Sequence, residues 1–237
     1  MPPLAGGLRP GLAQLVPNLA RHAWLKGIGL TAGMTLFFVA YFGVLHHPQF
    51  PVTTVPMLAL DRWIPFQPAW LLAYASLWVY VSLLPAVMAE KHELLRYAAA
   101  AIGLAVAGLA LFVIFPTTIE TPDIDWSQHP SVTFLKTVDA SGNACPSLHV
   151  AFAVFTAYGL HQRLRLCGAG KLVRAANGVW AAAIVYSTLA VKQHVTLDVA
   201  AGTLLGATAA WAWRVLDPGE SRPSRARSQL PRVGSVP

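Results

Sequence analysis

Long apolar stretches alternate along the chain with shorter polar segments, and six of these stretches carry almost no charged side chains. A helix needs about 20 apolar residues to cross the hydrocarbon layer, whereas an open strand would leave backbone groups unpaired in lipid. The pattern therefore predicts an all-α fold, an integral membrane bundle of six transmembrane helices. The predicted spans cover residues 24–45, 68–89, 98–115, 146–162, 175–191 and 194–216.

Composition supports a membrane protein, because 55% of the 237 residues are hydrophobic and only 11% are charged. The beginning of the chain is rich in Pro and Gly and lacks the apolar core of a secretory signal, so the first span is expected to direct insertion. The end is rich in Pro, Ser and Arg and has little apolar surface to bury. We therefore expect a cytoplasmic tail at 1–23, one six-helix domain at 24–216, and a disordered cytoplasmic tail at 217–237.

Basic side chains are divided unequally between the two ends of the predicted bundle. Of the 17 Lys and Arg residues, 14 fall on one side, and Arg62, Lys136 and Lys192 fall on the other. The positive-inside rule then predicts that both termini are cytoplasmic. Basic clusters beside helices favour contact with anionic lipids, so the net charge of +7 does not indicate nucleic-acid binding. Cys145 and Cys167 fall on opposite sides, and no disulfide between them is expected.

Polar residues of chemical interest collect in two segments on the side expected to face outward. In the first, "GNACPSLH", turn-forming residues lead into the fourth span, with Pro146 expected in its first helical turn. A helix N-terminus offers free backbone donors and the positive end of the helix dipole, which together attract anions. Asn143, Ser147 and His149 lie at this point, and ionisable groups at membrane depth are typically functional.

The second segment, "KQHVTLD", places His194 and Asp198 four residues apart, on one face of a helix. A carboxylate that accepts from the imidazole fixes the tautomer and makes the other ring nitrogen a better nucleophile. Phosphoryl transfer through a histidine fits these residues best, because this chemistry also uses the Ser147 hydroxyl and the helix N-terminus. Zinc binding by two His and one Asp is an alternative, but no compact third ligand set is evident, and we expect no metal and no cofactor. Serine-hydrolase chemistry is a weaker alternative, because Ser147 lacks the "GxSxG" elbow.

Both segments resemble signature motifs of the type 2 phosphatidic acid phosphatase superfamily. "CPSLH" is similar to its "PSGH" motif and "STLAVKQHVTLD" to its "SRxxxxxHxxxD" motif, and His149 and His194 are 45 positions apart. Leu148 and the "KQHxxxD" form look more like the branch of inositol phosphorylceramide synthases. The resemblance implies that His194 attacks phosphorus and becomes a phosphohistidine, that Asp198 orients it, and that His149 protonates the leaving alkoxide and then activates the acceptor.

Two departures from the family pattern concern phosphate-binding cations. The region matching the first motif, "FPTTIETPDID", has no Lys or Arg, and the "SR" of the third motif is Ser187 followed by Thr188. Lys192 and Lys136 are the candidate substitutes. Ser147 and backbone N–H groups are expected to hold the equatorial phosphate oxygens, and Asn143 and Ser187 complete the predicted substrate-binding set.

The resemblance implies a lipid phosphate phosphatase, and the distribution of basic residues predicts that its site lies on the face of the cell membrane outside the cytoplasm. Its expected partners are a lipid phosphate or phospholipid substrate and the membrane, with no nucleic acid; the oligomeric state is left open. A lipid headgroup phosphotransferase, which passes the phosphoryl group to an alcohol, is the first alternative. A catalytically inactive membrane scaffold or transporter is the second, although such a protein has no need for His149, His194 and Asp198 together.

Overall fold

The computed structural model describes residues 10–13, 15–120, 122–131 and 143–216, and the fold is mostly helical, at 74%. The helices, in chain order, are α1 (Pro10–Ala13), α2 (Val16–Ala20), α3 (Ala23–His46), α4 (Ala59–Trp63), α5 (Leu71–Ala75), α6 (Leu77–Ala86), α7 (Lys91–Ile114), α8 (Leu148–Leu166), α9 (Lys171–Ala190) and α10 (Thr196–Leu216). The described residues also form two strands, β1 (Thr53–Val55) and β2 (Thr117–Ile119), and two short 3-10 turns, Pro68–Trp70 and Trp126–Gln128.

Five helical segments among the described residues are long and apolar enough to cross a membrane. They are α3, the run Pro68–Ala86 that contains α5 and α6, α7, α9 and α10. The predicted fourth span is also a helix, α8, but its last turns carry polar side chains, including Arg163 and Arg165. A helical membrane bundle is therefore confirmed, whereas six spans and cytoplasmic termini stay predictions.

The third span begins earlier than its composition indicated. Helix α7 starts at Lys91, seven residues before the predicted boundary, and its first turns contain several charged side chains. Glu93 in this part of the helix accepts a hydrogen bond from Arg163 of α8 at 3.0 Å, in an ion pair that is mostly buried. Charged residues can continue a helix where a partner on a neighbouring helix pairs with them.

The division into 1–23, 24–216 and 217–237 stays a prediction, and the last segment lies outside the described residues.

Helix α8 lies at the centre of the bundle, packed against α6, α9 and α10. Among its buried residues are Val150, Ala151, Ala153 and Phe155, none of which is exposed to solvent. A helix buried on most of its faces needs less apolar surface than one that faces lipid. This position explains why α8 can carry polar groups along its length and still be part of the bundle.

A short parallel sheet at one end of the bundle was not predicted. Thr53 of β1 pairs with Thr117 of β2, and Val55 pairs with Ile119, so the chain after α3 is joined to the chain after α7. Thr117 also forms an isolated bridge with Asn143, just before α8. These strands consist of β-branched residues, which favour extended pairing. The all-α prediction thus needs one correction, and the sheet fixes three connecting segments near the N-terminus of α8.

Candidate active site

The two motifs meet because α8 and α10 touch through their backbones. The main-chain N–H of Ser147 donates to the main-chain oxygen of Asp198 at 3.1 Å. A methyl group on Gly202 would overlap the main-chain oxygen of Ser147, and one on Gly206 would overlap that of Ala151. Glycines spaced four apart let helices approach at backbone distance. This "GxxxG" spacing is a sequence signal that α10 packs closely on a neighbouring helix, and the contact between the two motifs was not predicted from it.

His194 and Asp198 form the predicted pair. The Nδ1 atom of His194 lies 3.3 Å from Oδ2 of Asp198, which also accepts from the main-chain N–H of Val195 at 3.0 Å. Asp198 is fully buried and His194 is 8% exposed. With Nδ1 directed at the carboxylate, Nε2 is the ring nitrogen that can attack a substrate.

His149, the second predicted catalytic histidine, is held by aromatic side chains. Its ring stacks on Tyr74, with centroids 3.9 Å apart, and Trp78 meets it edge-on at 6.4 Å. Its Nε2 atom is buried without a hydrogen-bond partner among the described residues. Tyr74 and Trp78 were not predicted as site residues, although they lie four positions apart in the predicted second span, a spacing that places two residues on one face of a helix.

An apolar cavity of about 790 Å³ reaches both histidines. Its walls come mainly from α3, α6, α7 and α8, and the lining of α3 extends from Leu25 to Phe42, a rise of roughly 25 Å. His149, His194 and Asn143 supply polar groups near the C-terminal end of α3, and Lys26 lies near its N-terminal end. The cavity therefore joins a small polar site to a long apolar space.

Ser147 and Asn143 lie beside the histidines, and both have structural contacts. Helix α8 begins at Leu148, so Pro146 precedes the helix and Ser147 is its N-cap; its hydroxyl accepts from the main-chain N–H of Val150 at 3.2 Å. Asn143 donates through Nδ2 to the main-chain oxygen of Tyr41 at 3.3 Å, and its Oδ1 is buried without a partner among the described residues. Contact of either residue with phosphate stays a prediction.

The other predicted substrate-binding residues are placed differently. Lys192 donates to the main-chain oxygen of Asp61 at 2.9 Å and to that of Ile64. Burial lowers the pKa of Lys192 from its ordinary value, and the Asp61 carboxylate partly offsets this effect. Ser187 is buried within α9, and its hydroxyl donates to the main-chain oxygen of Ile184, one turn earlier in the same helix, at 2.6 Å. Lys136 lies outside the described residues.

Cys145 lies close to the pair of His194 and Asp198 but is unsuited to act as a nucleophile. Burial raises the pKa of its thiol to about 11, and the Asp198 carboxylate adds to the increase. A thiol with this pKa stays protonated near neutral pH, whereas the thiolate is the reactive form. Among the described residues, no group of three or more His, Cys, Asp or Glu side chains is arranged to hold a metal ion.

Comparison with known families identifies the superfamily of this chain. A model of the PAP2 superfamily matches residues 93–221, a range that contains both histidines and Asp198. The chain belongs to the PAP2 superfamily. Members of this superfamily are phosphoesterases or phosphotransferases that act on phosphorylated lipid-like substrates. Searches of curated proteins and of solved structures found no significant match. The narrower resemblance to inositol phosphorylceramide synthases stays a prediction.

Proposed function

We propose that this protein hydrolyses or transfers the phosphate ester of a membrane lipid, through a phosphohistidine formed on His194. The observation that carries the proposal is that His194, paired with Asp198, and His149 both line one apolar cavity. The cavity can accommodate the hydrocarbon chain of a lipid while the ester reaches the histidines. The superfamily supports the reaction class, and the cavity supports a lipid substrate.

In the first step, Nε2 of His194 attacks phosphorus in line with the ester oxygen. A P–N bond forms, the P–O bond to the lipid breaks, and His149 gives its proton to the departing alkoxide. Asp198 holds the ring through Nδ1 and stabilises the positive charge that develops on the imidazole. His149 must be protonated at the start, and its buried Nε2 is the atom we assign to this proton.

In the second step, the acceptor restores His194. Neutral His149 takes a proton from water or an alcohol, the acceptor oxygen attacks phosphorus, and the P–N bond breaks. Water yields free phosphate, whereas an alcohol yields a new phosphate ester. Both histidines then return to their starting protonation states, so the cycle needs neither a redox partner nor another reactant.

Hydrolysis is the primary proposal, and transfer to an alcohol is the second candidate. The specific observation that keeps transfer open is the absence of Lys and Arg from the segment that matches the family's first motif. In addition, the Lys192 ammonium is bonded to two main-chain oxygens. Phosphoryl transfer requires charge neutralisation as well as positioning. If the site has as few cations as its described residues supply, it suits a substrate that carries less charge than a phosphate monoester, such as a phosphodiester lipid.

A substrate panel tests the proposal. Purified protein in detergent is incubated with phosphatidic acid and other phospholipids, with and without inositol, and free phosphate and new lipid are measured separately. Release of phosphate from lipid monoesters supports hydrolysis, and a new phosphoinositol lipid supports transfer. If neither product forms from any member of the panel, the proposed function is wrong.

Substitution of the histidines tests their separate roles. His194→Ala should abolish turnover and the acid-labile phosphoenzyme, because no other group holds the phosphoryl group. His149→Ala should be slow on lipid esters, yet recover partly on nitrophenyl phosphate, whose leaving group needs no proton. His161→Ala is the matched control, on α8 but about three turns from His149, and it should turn over at the normal rate. Recovery of His194→Ala on nitrophenyl phosphate, with none for His149→Ala, would show that the roles are reversed.

A further inference from the structure

Asp61 is a buried acid in the connection between the first two spans. It lies on α4, is 3% exposed, and is flanked by the exposed residues Arg62 and Leu60. Its Oδ1 atom accepts from both the main-chain N–H and the hydroxyl of Thr196, at 2.7 and 2.6 Å. Thr196 is the first residue of α10, so Asp61 caps this helix from another part of the chain.

Asp61 also holds the other side of the segment that carries His194. Its main-chain oxygen accepts from the ammonium of Lys192, which bonds to the main-chain oxygen of Ile64 as well. Lys192 has a φ of 58°, in the left-handed region that residues other than Gly rarely occupy. Such a conformation persists where surrounding contacts determine it. The contacts with α4 therefore fix the backbone two residues before His194.

His194 thus lies between two points that are both attached to Asp61. A further bond ties the same connection to the end of α9, since the main-chain N–H of Gln67 donates to the main-chain oxygen of Ala190 at 2.8 Å. The segment before α10 also has local support, because the main-chain N–H of His194 donates to the oxygen of Thr188 at 3.1 Å. The local bond fixes the turn, whereas the contacts with Asp61 fix that turn relative to the connection between the first two spans.

We infer that Asp61 is a positioning residue for His194, an inference that rests on the proposed role of His194 as the nucleophile. Oδ1 is occupied by Thr196, and Oδ2 accepts from the main-chain N–H of Leu58 at 2.8 Å. Both oxygens thus have structural partners, so Asp61 acts through the backbone on either side of His194. Removal of the Asp61 carboxylate releases Thr196 and Leu58, so the turn that carries His194 can shift. A displacement of about 1 Å at a reacting atom can slow catalysis about 100-fold.

The kinetic test uses two variants and one control. Asp61→Ala should lower kcat by about 10- to 100-fold with KM changed less than about threefold, because the lipid site itself is untouched. Asp61→Asn should fall between wild type and Asp61→Ala, since its amide oxygen can still accept from Thr196 while its NH₂ faces the N–H of Leu58. Arg62→Ala removes an exposed side chain from the same helix and should leave both constants unchanged.

Rapid-quench measurement separates positioning from a loss of folded protein. If Asp61 were only structural, its removal would reduce the amplitude of phosphoenzyme formation and leave the rate constant unchanged. The inference predicts a lower rate constant for the folded fraction. A double-mutant cycle with Thr196→Val should give effects that do not add, because both residues contribute to one contact.

A readout independent of activity uses trypsin, which cleaves after Lys and Arg. Cleavage after Lys192, followed by mass spectrometry, should be at least about tenfold faster in Asp61→Ala than in Arg62→Ala. The Lys192 ammonium loses the attraction of the Asp61 carboxylate, and the turn loses the support that this carboxylate gives through Thr196. If wild type has no activity on any lipid, the proposed function fails while this measurement still tests the contact. If Asp61→Ala does not fold, Asp61→Asn decides by the same measurements. An unchanged rate constant, or unchanged protection of Lys192, would overturn the inference.

Discussion

Gly202→Ala is the substitution that most directly tests how the two motifs are held together. The added methyl group would overlap the main-chain oxygen of Ser147 and lie 3.2 Å from both its carbonyl carbon and Cβ of Val150. Backbone atoms cannot move aside by rotation, so α8 and α10 must separate. The hydrogen bond from Ser147 to Asp198, at 3.1 Å, would lengthen with them.

The expected magnitude follows from three contributions. Overpacking a tight contact costs about 1–3 kcal/mol, and weakening one buried hydrogen bond adds about 1 kcal/mol. Ala has a higher helix propensity than Gly, which offsets about 1 kcal/mol. The net loss of about 2 kcal/mol corresponds to a melting temperature about 4–8 °C lower for a chain of this size. Catalysis should fall further, about 10- to 100-fold, because the movement separates His149 from His194.

The assay compares thermal unfolding in detergent with turnover of the lipid identified by the substrate panel. Gly103→Ala and Gly178→Ala are matched controls, because a methyl group at either position has no neighbour within 4 Å. They should melt at or slightly above the wild-type temperature and keep the full rate. If Gly202→Ala also matches wild type in both measurements, then α8 and α10 do not meet at backbone distance, and the reasoning about the site is refuted.

Three further predictions concern the histidine pair, the metal requirement and the membrane orientation. Asp198→Asn should retain the fold yet lose about 100-fold or more in rate, because an amide can present the wrong partner to the imidazole. Turnover and thermal unfolding are measured on one preparation, and a loss of folded protein as large as the loss of rate would contradict this prediction. Activity should survive EDTA, and complete loss that zinc or magnesium restores would contradict the metal-free mechanism. In a background without native cysteines, a cysteine at Ser127 should react with an impermeant reagent in intact cells while one at Leu172 should not; Leu172 is 84% exposed, whereas the nearby Ala169 is buried. The opposite labelling pattern would invert the topology.

Much of the helical bundle could be predicted because hydrophobicity is a local property of the sequence. Every predicted span overlaps a helix. Helix α7 begins earlier than predicted, in a turn where Glu93 pairs with Arg163 of α8. The pairing of His194 with Asp198 was also predictable, since their spacing fixes a shared helix face. The motif residues were recognised from their order along the chain, without knowledge of the distance between the two helices.

The contacts that assemble the site depended on residues distant in sequence. Asp61 gave only a weak signal, a single acid in an apolar segment, because its partner Thr196 lies 135 positions away. Lys192 could be predicted as a cation but not as a donor to the main-chain oxygens of Asp61 and Ile64. Likewise, the β1–β2 pairing joins two separate connections, and the stacking of His149 on Tyr74 joins two separate helices.

Side-chain composition and spacing are enough to show which segments are apolar enough to form a membrane bundle and which residues are candidates for phosphoryl chemistry. These properties follow from side-chain composition and from spacing within a single helix, so they survive without knowledge of the neighbours. It took the folded molecule to show that α8 is central, that the cavity reaches both histidines, and that Asp61 contacts both sides of the turn before α10. Such features depend on how closely helices approach, and at Gly202 a single methyl group is enough to prevent that approach.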